Sequence, residues 1–472
     1  MINFKNTYTQ LPDHFYQKVK PAKFESPSLI AFNKELALEL GIHFEKYTDL
    51  EIANIFSGQK ILEGSDPIAM AYAGFQFGHP NPQLGDGRAH LLGEVNGFDV
   101  QLKGSGQTRF SRQGDGRSAL GPVIREYLVS EAMHALEVPT TRALCAVSTG
   151  EMVHRQFGPE PGGVFTRVAS SHIRVGTFQY FFFQNDLKSL EQLLNYTINR
   201  HYPEFNELSL KDKSLSLIKA LIKKQSELIA KWYSIGFIHG VMNTDNFSVA
   251  GITIDYGPCA FMDEFKFNKV FSSIDHRGRY SYSNQTTIAQ WNILRLADCL
   301  LPFIDQSLPK AAKIVEDEIS DLMNLFSLKS MQLLARKIGI DDYTDQDELL
   351  IQNFIQYLEE QTIDFTLAFR NLPKLFNNDS SFYPASTKLD SFVDQWRKRV
   401  KSIDHLDKIN PLYIPRNHQV EKAIQEAYQN DFSHFHKLHQ VLKTPYTEQE
   451  KASGFELPPT KDNRVYQTFC GT

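Results

Sequence analysis

Cysteine is scarce in this chain: Cys145, Cys259, Cys299 and Cys470 are the only ones among 472 residues. They stand too far apart for a zinc-binding pattern and are too few for a disulfide framework at this length. Cys145 and Cys299 read as buried or unpaired thiols, whereas Cys470 sits where no core would account for it. Also missing is any apolar run approaching the roughly 20 residues that cross a bilayer. The stretch 1–10 has neither an apolar signal core nor an arginine-rich amphipathic pattern, so the expected compartment is the cytoplasm. No sign of charge dominates. A formal net charge of -5 gives no broad positive field, and the expected partners therefore include neither nucleic acid nor membrane. There is no internal repeat and no low-complexity linker. What is present is a hydrophobic content of 42%, enough for a large core, in a chain whose length suits more than one lobe.

Residues 1–70 mix helical segments with Pro12, Pro21, Pro27 and Pro67 and carry no recognisable chemistry. Short strands are expected next: 91–95 and 98–103 flank Asn96-Gly97, a pair whose tolerance of positive φ makes it the strongest short hairpin signal. Pro122 opens a helix in which Ile124, Leu128, Ala132 and Leu136 recur every fourth residue, Pro139 stops it, and Glu126 lies off the apolar stripe. Strand-like runs at 144–149 and 164–168 follow, then helices over 210–234. The segment 236–257 changes character, gathering His239, Asn243, Asp245, Asn246 and Asp255. From 286 to about 370 the pattern is helical, and the last hundred residues alternate helices with proline-marked turns.

Gly-Asp-Gly-Arg occurs twice, at 85–88 and 114–117. Glycine lets backbone N–H groups approach a phosphate, and arginine offers planar, permanently charged donors. One such tetrapeptide alone is a tight turn with an exposed arginine. Here the first copy precedes the hairpin, and Lys103 ends its second strand in Val100-Gln101-Leu102-Lys103, much as Val-Ala-Ile-Lys places a kinase's phosphate-binding lysine. Glu126 on the next helix is positioned to pair with it. Downstream, the run from His239 to Asn246 overlays the kinase pattern H-R-D-x-x-x-x-N without a gap, and Asp255-Tyr256-Gly257 matches D-F-G. Asn246 and Asp255 carry oxygen ligands suited to a hard divalent ion. His239 reads as structural. The position of the catalytic aspartate is taken by Val241, which cannot accept a proton, so the loop lacks the usual base for γ-phosphate transfer. Asp245 is the nearest carboxylate. A non-catalytic nucleotide-binding scaffold and, behind it, a conventional kinase are the competing readings.

These residues resemble the selenoprotein O family of protein adenylyltransferases with a pseudokinase fold. The resemblance runs through Phe77-Gly78-His79, 84–88, 102–106, 114–117, Ile124-Arg125-Glu126-Tyr127, 171–178, the His239–Asn246 loop, 254–258 and Gly278-Arg279-Tyr280, covering roughly 70–300. It implies an α+β, kinase-like two-lobed fold with added N- and C-terminal helical segments. The expected divisions are 1–70 packing on the core, 71–180 as the small lobe, 181–370 as the large lobe, and 371–472 as an extension with a cysteine-bearing tail. It further implies that ATP binds reversed and that AMP, or UMP from UTP, passes to Ser, Thr or Tyr hydroxyls of proteins, with release of pyrophosphate. On this chain Gly85, Gly87, Arg88, Lys103, Asp115, Gly116, Arg167, Arg174 and Asp255 would bind nucleotide, Asp245 would accept the proton, and Asn246 with Asp255 would hold Mg²⁺ or Mn²⁺. Glu126 would secure Lys103. The resemblance also implies redox control through Cys470 and a cysteine after Asp-Tyr-Gly, where Cys259 is the one present.

Overall fold

A computed structural model describes residues 2–155 and 158–469. Its strands are β1 (Tyr16–Lys18), β2 (Ser28–Phe32), β3 (Ile68–Met70), β4 (Gly74–Gln76), β5 (His79–Asn81), β6 (Ala89–Val95), β7 (Phe98–Lys103), β8 (Arg142–Arg155), β9 (Gly158–Ala169), β10 (Phe237–Ile238) and β11 (Ala260–Phe261). Seven of them form one antiparallel sheet in the order β1-β3-β6-β7-β9-β8-β2. The pairs β4–β5 and β10–β11 stand apart as two-stranded units. Helices fill most of the remainder, so the chain is α+β.

The β6–β7 hairpin closes at Asn96 and Gly97, whose φ angles of 49° and 81° are those a tight primed turn demands. Alternation along β7 then sorts the two faces of the sheet. Val100 and Leu102 pack with Leu144, Val164 and Val168 against the helices Lys34–Glu39 and Asp49–Phe56. Gln101 and Lys103 face the other way, paired across the ladder with Arg167 and Phe165 of β9. That second face is covered by the helix Leu120–Ala135, through Val123, Ile124 and Tyr127. The helix is buried almost all round, because Asn417–Ala427 and Ser433–Leu442 cover its far side with Val420, Ile424, Phe435 and Leu438.

Two differences from the sequence expectations stand out. The segment 1–70, read there as helical, also supplies β1, β2 and β3 to the sheet. The runs expected at 144–149 and 164–168 are the inner parts of the longer ribbon β8–β9. Beyond the sheet, Leu210–Ser234 anchors a helical core with Gln285–Ile304 and Leu308–Met323. A second apolar cluster built on Phe354, Phe369, Phe392 and Trp396 lies behind it. Fully buried Arg416 joins distant segments: its Nη1 is 2.7 Å from Asp263 Oδ1 and 2.8 Å from Asp364 Oδ2. Among the described residues no helix is long and apolar enough to cross a membrane.

Candidate active site

The sheet and the helical core meet along a cleft of about 740 Å³, and every residue singled out from the sequence as a nucleotide, metal or catalytic group lines it. Lys103 reaches it from the end of β7, Arg167 from β9, Glu126 from the covering helix, and Arg174 from the N-terminus of Val175–Phe183. Asp245, Asn246 and Asp255 arrive on the loops between β10 and β11.

The floor is a charge network. Lys103 Nζ lies 2.6 Å from Glu126 Oε2 and 2.8 Å from Asp255 Oδ1. Arg167 Nη1 bridges the same carboxylates, 3.3 Å from Glu126 Oε1 and 2.7 Å from Asp255 Oδ1. Arg174 Nη1 stands 3.9 Å from Asp255 Oδ2, and its guanidinium lies 4.4 Å over the ring of Tyr72. Burial alone would push Asp255 up, but Arg167, Lys103 and Arg174 outweigh it and hold the carboxyl well below the usual range. Asp255 also has φ of 65°, a left-handed conformation that costs a non-glycine residue about 1 kcal/mol. The surrounding cations hold it there.

Asp245 is different. It is buried, its Oδ1 has no hydrogen-bond partner among the described residues, and its Oδ2 receives only a long contact of 3.5 Å from Gln76 Nε2. Burial pushes its pKa up to about 6, which its own backbone N–H and Arg174 only partly offset. A carboxylate so placed has an oxygen to spare and a proton affinity near neutrality. Beside it, Asn246 donates through Nδ2 to the Val241 carbonyl at 3.0 Å, which leaves its amide oxygen as the ligating end. Val241 itself lines the cleft and is buried. His239 is structural: its Nε2 lies 2.9 Å from the Ile254 carbonyl, and its Nδ1 accepts from the Val241 N–H at 3.3 Å.

The donor set suits a hard divalent ion held together with phosphates. No group of three or more His, Cys, Asp or Glu side chains among the described residues forms a metal cage, whereas Asn246 and Asp255 share the cleft. An ion bound mainly by substrate phosphates and water needs only one or two protein oxygens.

The glycines expected at the nucleotide line the cleft and are also tightly packed. A Cβ on Gly85 would fall 2.3 Å from the Phe110 ring, and one on Gly87 would fall 2.7 Å from the Phe110 carbonyl oxygen. A Cβ on Gly116 would meet the backbone of Gly106 at 2.2 Å. These glycines let loops pack on each other to form the wall. Asp115 lies on that wall with Oδ2 2.8 Å from Arg155 Nη1 and Oδ1 accepting from the Arg117 N–H at 2.9 Å. Arg88 lines the cleft as well, and its carbonyl accepts from the Gly104 N–H at 2.7 Å.

Several contributors went unnoticed in the sequence. Asp86, inside the first Gly-Asp-Gly-Arg, is buried and accepts from the Met70 N–H at 3.1 Å and Gln101 Nε2 at 3.0 Å. Gln101 in turn accepts from Arg167 Nε at 2.8 Å. Its position two residues before Lys103 on the same strand puts both on one face, and that parity was the available signal. Gln76 and Tyr72 have no local signature. Of the cysteines, Cys145, Cys259 and Cys299 are free and buried, and burial pushes the Cys259 thiol up to about 12. Thr468 Oγ1 donates to the Pro258 carbonyl at 2.5 Å, beside Cys259. Cys470, the proposed redox residue, lies outside the described residues.

The family described as protein adenylyltransferase SelO matches residues 1–443. A protein nucleotidyltransferase YdiU of Agrobacterium fabrum is 47% identical over the whole of both chains. A protein of the same name from Nitrosococcus oceani is 46% identical across 100% of this chain and 97% of its own. Another from Rhizobium rhizogenes is 47% identical over the same shares. The chain belongs to the protein adenylyltransferase SelO family.

Proposed function

We propose that this chain transfers AMP from ATP to a hydroxyl group of a protein and releases pyrophosphate. One observation carries the reading: Asp245 presents a buried, unpartnered carboxylate oxygen in the same cleft as Lys103, Arg167 and Arg174, while the kinase base is replaced by Val241. The sheet with its covering helix and the helical core correspond to the small and large lobes of a kinase-like fold. In that division 71–180 and 181–370 are the lobes, and 1–70 and 371–472 pack around them.

The acceptor oxygen attacks the α-phosphorus as its proton passes to Asp245. The bond from that phosphorus to the bridging oxygen breaks, and pyrophosphate leaves with the electron pair. Lys103, Arg167, Arg174 and Arg88 bind and orient the triphosphate, with Gly85, Gly87, Asp115 and Gly116 shaping the wall around it. Glu126 keeps Lys103 and Arg167 in place. When bound, Mg²⁺ or Mn²⁺ at Asn246 and Asp255 supplies charge neutralisation at the phosphate oxygens. The burial of Asp245 gives it a proton affinity high enough to take the hydroxyl proton near neutral pH.

Asp245→Ala separates this reading from a scaffold that only holds nucleotide. Purified variant and wild-type chains are compared for AMP incorporation into a cell extract and for binding of an ATP analogue. Lost incorporation with retained binding is expected; incorporation at the wild-type rate would overturn the assignment.

A further inference from the structure

Next to Asp245 stands a surface built by none of the residues assigned above to the nucleotide. The β4–β5 hairpin is strapped to the loop carrying Asp245: the Phe75 N–H donates to Thr244 Oγ1 at 2.7 Å, and the Phe77 N–H donates to Asn243 Oδ1 at 3.1 Å. Between these anchors Gln76 points Nε2 at Asp245. At the hairpin turn the guanidinium of Arg279 lies against Gly78, whose Cβ, if present, would be 3.6 Å from Arg279 Cζ. The same guanidinium lies 4.9 Å over the ring of Trp291, and Phe75 packs edge-on against that ring at 5.4 Å.

Arg279 is thus held in place without an anion. Among the described residues it forms no ion pair, and its Nε is buried with no hydrogen-bond partner. On the cleft floor, by contrast, Arg167 is paired with Asp255 and Glu126, and Arg174 Nη1 faces Asp255 while its Nη2 is also buried without a partner among the described residues. Near Arg279, Arg277 and Ile274 are exposed, and Ile274 lines the mouth of the cleft. Stacking on an indole fixes the guanidinium; with its Nε buried and a hydrogen bond to the Tyr280 side chain, its remaining in-plane donors are left for a carboxylate.

Position completes the argument. Gln76 reaches Asp245 through its side chain and Arg279 lies beside Gly78, so one short hairpin, whose Cα atoms at 76 and 78 are at most about 7 Å apart, carries both contacts. An extended acceptor advances about 3.3 Å per residue. A polypeptide whose hydroxyl meets Asp245 therefore carries its near neighbours past Arg279.

We propose that the β4–β5 turn, Arg279 and Trp291 form the docking surface for the acceptor polypeptide, and that Arg279 selects an Asp or Glu side chain within a few residues of the modified hydroxyl. The proposal rests on the AMP-transfer reading. A purely structural Arg279, packed on Trp291 to brace the hairpin, is the outcome the test must separate.

The full chain, ATP and Mn²⁺ are incubated with a degenerate peptide library containing a fixed Ser, Thr or Tyr, and AMP-bearing peptides are read by mass spectrometry. Wild type is expected to enrich Asp or Glu near the acceptor. Arg279→Glu should lower transfer to acidic peptides by about tenfold, the worth of one charge-assisted hydrogen bond, and should shift preference toward Lys and Arg. Arg279→Gln, which keeps a flat polar group without the charge, should lose the preference in either direction while binding an ATP analogue as wild type does. Transfer by wild type with no acidic preference, or an acidic preference that survives in Arg279→Glu and Arg279→Gln, overturns the docking surface alone. A wild-type chain that places AMP on no peptide overturns the AMP-transfer reading together with it.

Discussion

Asp245→Asn keeps the shape of the side chain and removes a charge that the fold holds buried with one oxygen unpartnered. Burial raises the carboxyl from 3.8 to about 6, so in the folded state the ionised form is disfavoured relative to the unfolded chain. At about 1.4 kcal/mol per pKa unit the ionised carboxylate costs the fold about 3 kcal/mol at pH 8. The sign follows from proton binding. Between the unfolded and folded pKa values the folded chain binds the proton more tightly, so stability falls as pH rises from about 4 through about 6 and is level above. At pH 4 only about 0.5 kcal/mol of the penalty remains. The new amide N–H group costs about 1 kcal/mol if it finds no acceptor, leaving a net gain of about 2 kcal/mol at pH 8. With an unfolding entropy of about 1 kcal/mol per kelvin for a chain of this size, Tm should rise by about 2 °C. Thermal unfolding of both proteins at pH 8 and pH 4 tests this, alongside AMP transfer, which the variant should lose. A variant less stable than wild type at pH 8, or a difference that does not change with pH, would refute the reasoning.

The pH profile of AMP transfer should rise about tenfold per unit below pH 6 and level off above it, because Asp245 must be ionised to take the proton; initial rates between pH 5 and 8 check the sign. Glu126→Gln removes the carboxylate shared by Lys103 and Arg167, and should raise the KM for ATP and lower stability by about 3 kcal/mol, read by urea unfolding. Gly85→Ala forces a Cβ onto the Phe110 ring at a φ of 74°, so it should destabilise by about 2 kcal/mol, with part recovered in the double variant with Phe110→Ala.

What the sequence made legible was local chemistry. Asn96-Gly97 announces its turn because tolerance of positive φ belongs to those residue types themselves and needs no distant partner. In the spacing that runs from His239 to Asn246 and on to Asp255, Asn246 and Asp255 line the cleft, while His239 is held on the Ile254 carbonyl behind it. The strands β1, β2 and β3 were hidden, since segments of 3–5 residues become strands only through partners far along the chain. Asp86, Gln101 and Gln76 were hidden for a related reason: each acts on another side chain, and only the folded ladder brings them together. The raised proton affinity of Asp245 is a consequence of burial and has no counterpart in the order of residues. The packing of Gly85 and Gly87 on Phe110 was hidden too, since a glycine signals close approach without saying to what.

The measurement that tests the central claim most directly follows the phosphorus. Wild-type chain with a divalent metal and a protein extract is given ATP labelled either at the α- or at the γ-phosphate. Val241 in place of a kinase base, with Asp245 as proton acceptor, predicts protein-bound label from the α position and labelled pyrophosphate from the γ position. Protein-bound label from γ-labelled ATP and none from α-labelled ATP would contradict it.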